Sequence, residues 1–130
     1  MNPYEFAAFM IEESLFDKVD IYRYESVKNP NGSTTTQLSK EPVHADIPGR
    51  ISFSYSKIEG ASSSREDGDP ISHNPKIFFA VNAPIKTGDI VVVKRLNKSG
   101  DQIATYKGKI GLPNVFQSHI EVSIYIEGTV

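Results

Sequence analysis

Apolar and polar residues alternate with a period of two along most of the chain after residue 17. Successive side chains of a β-strand point to opposite faces, so this alternation predicts strands with one buried face. It is clearest near the C-terminus, where the predicted inward and outward positions are Ile120, Val122, Ile124 and Ile126 against Glu121, Ser123, Tyr125 and Glu127. Ile51, Phe53 and Tyr55 alternate with serines in the same way. The chain is therefore predicted to be mainly β.

Turn-forming residues separate these segments at short intervals. The first strand is predicted over residues 19–27, and Asn31-Gly32 then gives a strong hairpin signal. Further breaks or turns are predicted at 47–49, 85–89, 97–101 and 111–114. About seven short strands joined in this way predict a small antiparallel β-barrel, closed or partly open, or a β-sandwich. A chain of 130 residues is the usual size of one domain, so we expect a single domain over residues 1–130.

The first segment, residues 1–17, has the pattern of a helix. Asn2 is a good N-cap, and Pro3 suits the first helical position. Its apolar residues fall on two sides, Phe6, Phe9, Met10 and Phe16 on one and Tyr4, Ala7, Ala8, Ile11 and Leu15 on the other. Two interpretations follow. Either the helix is wedged deeply against its own core, or one side packs on the domain and the other on a neighbouring subunit.

A long polar segment at residues 59–75 has no periodicity. It is predicted to be a flexible loop. Loops of this length are uncommon in compact domains and tend to be functional or disordered. We favour a binding or gating role over the alternative of a hairpin tip without function.

The composition excludes several classes of protein. No segment approaches the run of about 18 apolar residues that spans a membrane, and the N-terminus lacks the order of a signal peptide. There is no cysteine, which excludes disulfides and thiolate metal sites. The net charge of -2 argues against a dedicated duplex-binding protein. We expect a soluble, cytosolic domain.

The sequence contains no recognisable catalytic or metal-binding motif. His44, His73 and His119 lie far apart, without the close spacing of metal ligands. The serine run at 62–64 lacks the glycines of a nucleophile elbow, and Asp67 and Asp69 lack the other ligands of a calcium loop. We therefore expect a non-enzymatic protein with no cofactor and no metal.

Charge is distributed unevenly along the chain. Residues 1–30 carry six acidic and three basic side chains, and residues 86–109 carry six basic and two acidic ones. These segments are either two ordinary solvated faces or the oppositely charged sides of a molecule that binds its own copies head to tail. A weaker alternative is that the basic hairpin contacts the backbone of a nucleic acid.

Six short segments, taken in order, resemble a known family. They are 19–23, 31–35, 49–53, 76–79, the Ile-x-x-Gly-Asp-x-Val passage that begins at 85, and the Ser-His-x-Glu strand at 118–122. Their order over residues 19–127 resembles the head-completion proteins (head-closure, stopper or head–tail connector proteins) of long-tailed phages and of phage-like prophage elements in Gram-positive bacteria.

The resemblance implies a small β-barrel that forms a homo-oligomeric ring beneath the portal and its adaptor. The ring closes the capsid exit after DNA packaging and offers a docking surface for the tail. The protein is then made in the bacterial cytoplasm and ends at the head–tail interface of the virion, near packaged DNA and a tail-completion or tail-terminator protein. The long loop is expected to project into the channel as a plug, with Ser62, Ser63, Ser64, Arg65, Glu66 and Asp67 at its tip.

Contacts with neighbouring subunits are expected on the helix and on the basic hairpin. The candidate residues are Phe6, Phe9, Met10, Lys94, Arg95, Lys107 and Lys109. The nearest alternative is a tail-terminator or tail-completion protein at the same junction. A carbohydrate- or ligand-binding β-module is a different alternative, in which Tyr22, Tyr24, Tyr55 and Tyr125 form an aromatic platform. An enzyme has the least support.

Overall fold

The computed structural model describes residues 2–53, 55–57, 71–73 and 75–129. Within them the chain forms one helix and eleven strands. In order these are α1 (Pro3–Glu13), β1 (Asp17–Tyr22), β2 (Tyr24–Lys28), β3 (Thr34–Leu38), β4 (His44–Ser52), β5 (Tyr55–Lys57), β6 (Ile71–His73), β7 (Lys76–Phe79), β8 (Ile90–Leu96), β9 (Gln102–Ile110), β10 (Asn114–Val115) and β11 (Ile120–Thr129).

Six strands close into an antiparallel barrel in the order β11-β7-β4-β1-β8-β9. The last strand closes it, because residues 120–123 of β11 pair with β7 and residues 124–129 pair with β9. The short strand β10 is added beside the first residues of β11. The predicted β-barrel with an N-terminal helix is confirmed.

The interior of the barrel is filled by the apolar side chains that alternate along its strands. The buried cluster consists of Val19, Ile21, Ile51, Ile77, Phe79, Val91, Val93, Ile110, Ile120, Val122 and Ile124. Ile126 packs against it, so the predicted inward positions of the last strand are confirmed. Burying each side chain of this size contributes about 1.5–3 kcal/mol, and together these positions set which face of each strand points inward.

One buried carboxylate fastens the start of β1 to two other strands. Asp17 is 4% exposed, and its two oxygens accept hydrogen bonds from the backbone N–H of Ile51 at 3.0 Å and of Leu96 at 3.1 Å. A buried carboxylate is costly unless it is hydrogen-bonded, and these two donors compensate it. Asp17 therefore helps to fix the positions of β4 and β8 relative to β1.

Several predicted boundaries were wrong. The predicted first strand over 19–27 is interrupted at Arg23, which separates β1 from β2. The break expected at 47–49 lies inside β4. Proline has no backbone N–H to donate, so it suits a strand position that pairs on one side only. Pro48 is such a position, because it pairs with Lys18 of β1, whereas the pairing of β4 with β7 begins at Gly49. The helix also ends at Glu13, earlier than predicted.

Residues 71–73 of the segment predicted as a loop over 59–75 form strand β6. Strands β5 and β6 pair with each other between Tyr55 and His73, and they follow the pairing of β4 with β7, in which Ser52 lies opposite Lys76. The two strand pairs thus form one interrupted hairpin. Residues 58–70 join its strands and lie outside the described residues.

Closure of the barrel depends on Gly108, and replacing it with alanine should destabilise the protein. A Cβ atom at this position would lie 2.5 Å from the carbonyl oxygen of Tyr125 and 2.8 Å from Cγ1 of Ile124. We expect Gly108→Ala to lower the free energy of unfolding by about 1–3 kcal/mol, measured by urea titration.

Gly111→Ala is the matched control, because a Cβ atom there would make only ordinary contacts, the nearest at 3.6 Å to the ring of Tyr125. Equal stability of the two variants would contradict this account of barrel closure.

Candidate functional site

The N-terminal helix α1 has its own local stabilisation. The backbone N–H of Glu5 donates to Oδ1 of Asn2 at 2.8 Å, and the backbone N–H of Asn2 donates to Oε2 of Glu5 at 3.3 Å. This reciprocal pair is a capping box, which satisfies N–H groups at the start of a helix. At the other end, the hydroxyl of Ser14 donates to the carbonyl of Ile11 at 2.6 Å. Local hydrogen bonds therefore stabilise both ends of α1.

The apolar side chains of α1 lie outside the barrel core. Phe6, Phe9 and Met10 are 56%, 48% and 53% exposed, and the buried core cluster includes no residue of α1. The interpretation of a helix wedged deeply into its own core was therefore wrong. These three side chains have helical spacing i, i+3 and i+4, so they form one apolar face that is left to solvent.

The predicted basic interface residues do not share one environment. Lys94, Lys107 and Lys109 occupy outward positions of β8 and β9, whereas Val91 and Val93 occupy the inward ones. Arg95 lies at the end of β8, on the same face of the strand as Val91 and Val93. Its guanidinium is 5.9 Å from the centre of the Phe53 ring. The four cations thus belong to two different surfaces.

Lys94 is already paired within its own chain. Its Nζ lies 2.6 Å from Oδ1 of Asp46 and 3.2 Å from Oδ1 of Asp20. The hydrogen bond with Asp46, reinforced by Asp20, raises the pKa of Lys94, and the same bond lowers the pKa of Asp46. Asp46 has a φ of 54°, and its backbone N–H donates to Asp20 at 2.9 Å, which helps to hold the unusual backbone in place.

The acidic and basic segments of the sequence are neighbours rather than opposite sides of the molecule. Strand β1, which carries Asp17 and Asp20, pairs directly with β8, which carries Lys94. Arg23 and Asp89 form a further ion pair between the same two segments. Asp20 and Lys94, and Arg23 and Asp89, are therefore paired inside one chain, which leaves the acidic side chains of α1 and the cations Arg95 and Lys98 for any attraction between copies.

The Ile-x-x-Gly-Asp-x-Val passage has a structural role. Asp89 is 2% exposed and accepts two hydrogen bonds from the guanidinium of Arg23, both at 2.9 Å, and one from the backbone N–H of Lys86 at 2.8 Å. Gly88 precedes it with a φ of 87°, which suits glycine. The hydrogen bond with Asp89 raises the pKa of Arg23. This contact fixes the break between β1 and β2 against the turn that leads into β8.

A groove that the sequence did not predict lies at the end of the β8–β9 hairpin. It has a volume of about 620 Å3 and is lined by Phe16, Arg95, Leu96, Asn97, Lys98, Gly100 and Ile103. Phe16 and Ile103 are 62% and 59% exposed. Ile103 has no partner in the strand register, because Arg95 pairs with Ala104 and Leu96 with Gln102. This irregularity depends on the pairing of β8 and β9, so the sequence pattern alone did not indicate it.

A hydrogen-bonded Ser–His–Glu line lies at the turn before β11. The Oγ of Ser118 is 2.7 Å from Nδ1 of His119, and Nε2 of His119 is 2.8 Å from Oε2 of Glu121. The ring of Phe116 stacks on the imidazole at a centroid distance of 5.0 Å, and Lys76 lies 3.7 Å from Glu121. Both ring nitrogens of His119 are within hydrogen-bond distance of a partner, and the ring of Phe116 covers the imidazole. We therefore interpret these contacts as structural, because they hold the turn that leads into β11 in one conformation.

Other predicted sites are separated or lie outside the described part of the chain. Tyr22 is on β1 and Tyr125 on β11, which are three strands apart in either direction around the six-stranded barrel, so they do not form one platform. The side chain of Tyr55 lies outside the described residues, as do the predicted plug residues Ser62, Ser63, Ser64, Arg65, Glu66 and Asp67.

Residues 2–53, 55–57, 71–73 and 75–129 were searched for metal sites and for membrane-spanning helices. There, no three His, Asp or Glu side chains are close enough together to hold a metal ion. In the same ranges, no helix has the length and apolar character needed to cross a membrane.

Comparisons with protein-family models, with curated proteins and with solved structures gave no match to this chain. The functional proposal therefore depends on the exposed face of α1, the groove beside the β8–β9 hairpin and the order of the sequence motifs.

The ion pair of Lys94 should make stability depend on alkaline pH. Since the pKa of Lys94 in the folded chain is raised above 10.5, its contribution is present at neutral pH and is lost as the pH rises past that value. We expect Lys94→Met to cost about 1 kcal/mol near neutral pH and progressively less above about pH 10.5, measured by urea unfolding at several pH values.

Lys98→Met is the control, because Lys98 is exposed at the tip of the same hairpin, and it should change stability by less than about 0.5 kcal/mol throughout. A cost of Lys94→Met that stays constant with pH would contradict the assignment.

Proposed function

We propose that this protein is a structural head–tail connector of the head-completion type. It would form a ring below the portal and adaptor of a phage or phage-like particle, close the capsid exit after DNA packaging and provide the surface on which the tail docks. The observation that carries the proposal is the exposed apolar face of α1, formed by Phe6, Phe9 and Met10, beside a barrel that is closed without it. Such a face on a small domain is typical of a protein that binds other chains.

Closure of the barrel also limits how copies can assemble. A closed sheet offers no long open edge to which a strand of another chain can be added. The barrel itself can therefore bind other copies only through its outward side chains, and α1 offers a further surface. Heterologous contacts between such surfaces close into rings when the rotation between copies permits. This is the kind of assembly that a connector requires.

The hairpin that contains β5 and β6 supports the second part of the proposal. It follows β4 and β7 along the chain as a separate two-stranded sheet, and residues 58–70 lie between its strands in the sequence. In a ring, this hairpin would bring the predicted plug residues 62–67 toward the channel. The segment contains four acidic residues, Glu59, Glu66, Asp67 and Asp69. Their repulsion from phosphate would suit a plug that must not bind the genome tightly.

Electron microscopy of a portal–adaptor assembly tests the proposed location. We expect the purified protein to add ring-shaped density at the exit of the assembly. Phe9→Glu should abolish this density, because it places a charge in the apolar face of α1, and should leave the barrel folded as judged by circular dichroism. Binding to isolated tail tubes alone would identify a tail terminator and overturn the proposal. Binding to glycans without association with particles would instead identify a ligand-binding module.

Deletion of residues 60–69 tests the plug. The core cluster lies within the barrel, so the shortened protein should keep the stability of the full chain and still bind the portal–adaptor assembly. Packaged DNA should nevertheless escape, which nuclease protection of capsid DNA measures. Replacing the same residues with a Gly/Ser linker of equal length shows whether the seal needs the length of this segment or its particular side chains. Capsids that remain sealed with the deletion would contradict the role of this segment as a plug.

A further inference from the structure

We infer that the apolar face of α1 from one copy docks in the groove beside the β8–β9 hairpin of the next copy. The inference rests on the proposed ring and names the contact that would build it. It joins an apolar helix face and an apolar groove, both of which are exposed among residues 2–53, 55–57, 71–73 and 75–129.

The groove has an apolar wall and a basic rim. Phe16 and Ile103 contribute exposed apolar surface, and the half-buried Leu96 lines the same groove. The side chains of Arg95 and Lys98 line the same groove and are exposed. Unlike Lys94, they are not among the cations that pair with an acidic side chain in the described ranges. The groove therefore fits a ligand that is apolar in the middle and acidic at its edges.

Helix α1 has that combination of properties. Phe6, Phe9, Met10 and Glu13 are spaced i, i+3, i+4 and i+7, so the apolar face ends in a carboxylate. Glu5 lies in the first turn beside this face, about 100° around the helix axis from Phe6, and its side chain belongs to the capping box with Asn2. The helix contains no Lys or Arg. Docking this helix in the groove would bury the three apolar side chains and bring the carboxylate of Glu13 near the basic rim formed by Arg95 and Lys98.

The charges favour a head-to-tail contact over a symmetric one. If two copies of α1 packed face to face, Glu13 and Glu5 would meet the same acidic helix of the partner, and like charges at close range are unfavourable. Docking in the groove pairs the acidic helix with basic side chains instead. The helix and the groove are different surfaces of one chain, so each copy can bind two neighbours, and repeated contacts build a ring when they close.

Mixed disulfide trapping tests the contact directly, because the chain has no cysteine of its own. Phe9→Cys and Ile103→Cys are made as separate single variants of the full chain, one with a larger tag. They are mixed at high concentration and oxidised. We expect the mixed Phe9→Cys/Ile103→Cys dimer to exceed by about tenfold the dimer of Phe9→Cys with Leu112→Cys, which is the matched control at a more exposed apolar position.

The other occupants of the groove give different products. A dimer formed by Phe9→Cys alone, in excess of the mixed product, would show that α1 pairs with α1 and would overturn the inference. A chain carrying both substitutions that forms an internal disulfide and stays monomeric would show that its own helix fills the groove. A mixed product no greater than the Leu112→Cys control would also overturn it.

Charge reversal tests the basic rim and separates this inference from the proposed function. Arg95→Glu with Lys98→Glu should lower the yield of the mixed disulfide about tenfold, and Glu13→Lys in the helix-donating copy should restore part of it, because Glu13 lies on the apolar face and outside the capping box of α1. If ring density appears on the portal–adaptor assembly and the mixed disulfide does not form, only the docking of α1 in the groove fails. If neither appears, the proposed function fails with it.

Discussion

The structure depends on the way β11 divides its pairing between two strands. Its first residues pair with β7 and its later residues with β9, so a sheet that would otherwise have two open edges becomes a barrel. Gly108 permits this approach, because a Cβ atom at that position would meet the backbone of β11 at Tyr125. Once the barrel is closed, the inward side chains of six strands fill the interior. Helix α1 then has no place in the core, and its apolar face remains outside.

Buried carboxylates fix the remaining geometry. Asp17 accepts hydrogen bonds from backbone N–H groups of β4 and β8. Asp89 accepts hydrogen bonds from the side chain of Arg23 and from the backbone N–H of Lys86, in the turn before β8. Every buried side-chain N or O atom in the described ranges has a hydrogen-bond partner. Such satisfied polar groups favour one arrangement of strands over others, because a shift in register would leave a carboxylate buried without donors. The buried charged groups Asp17 and Asp89 therefore serve the fold of this chain.

The proposed assembly follows from what this internal pairing leaves exposed. The six barrel strands pair on both sides, and Lys94 is held by Asp20 and Asp46. What remains for a neighbour is the apolar face of α1 and the groove with its basic rim at Arg95 and Lys98. A protein that assembles through a helix and a groove can fold as a single copy first and form a ring afterwards, since neither surface contributes to its core.

The sequence by itself determined the β class, the N-terminal helix, the Asn31-Gly32 hairpin and the inward face of the last strand, because alternation, capping and turn residues act over a few neighbouring positions. It indicated Phe6, Phe9 and Met10 as candidate contacts, but it did not decide between a buried and an exposed helix. Only the tertiary structure decided that α1 lies outside the core, that Asp20 on β1 pairs with Lys94 on β8, and that Phe16 and Ile103 share a groove. Each of these depends on which strands become neighbours, and local sequence patterns do not specify pairing between residues that are far apart in the chain.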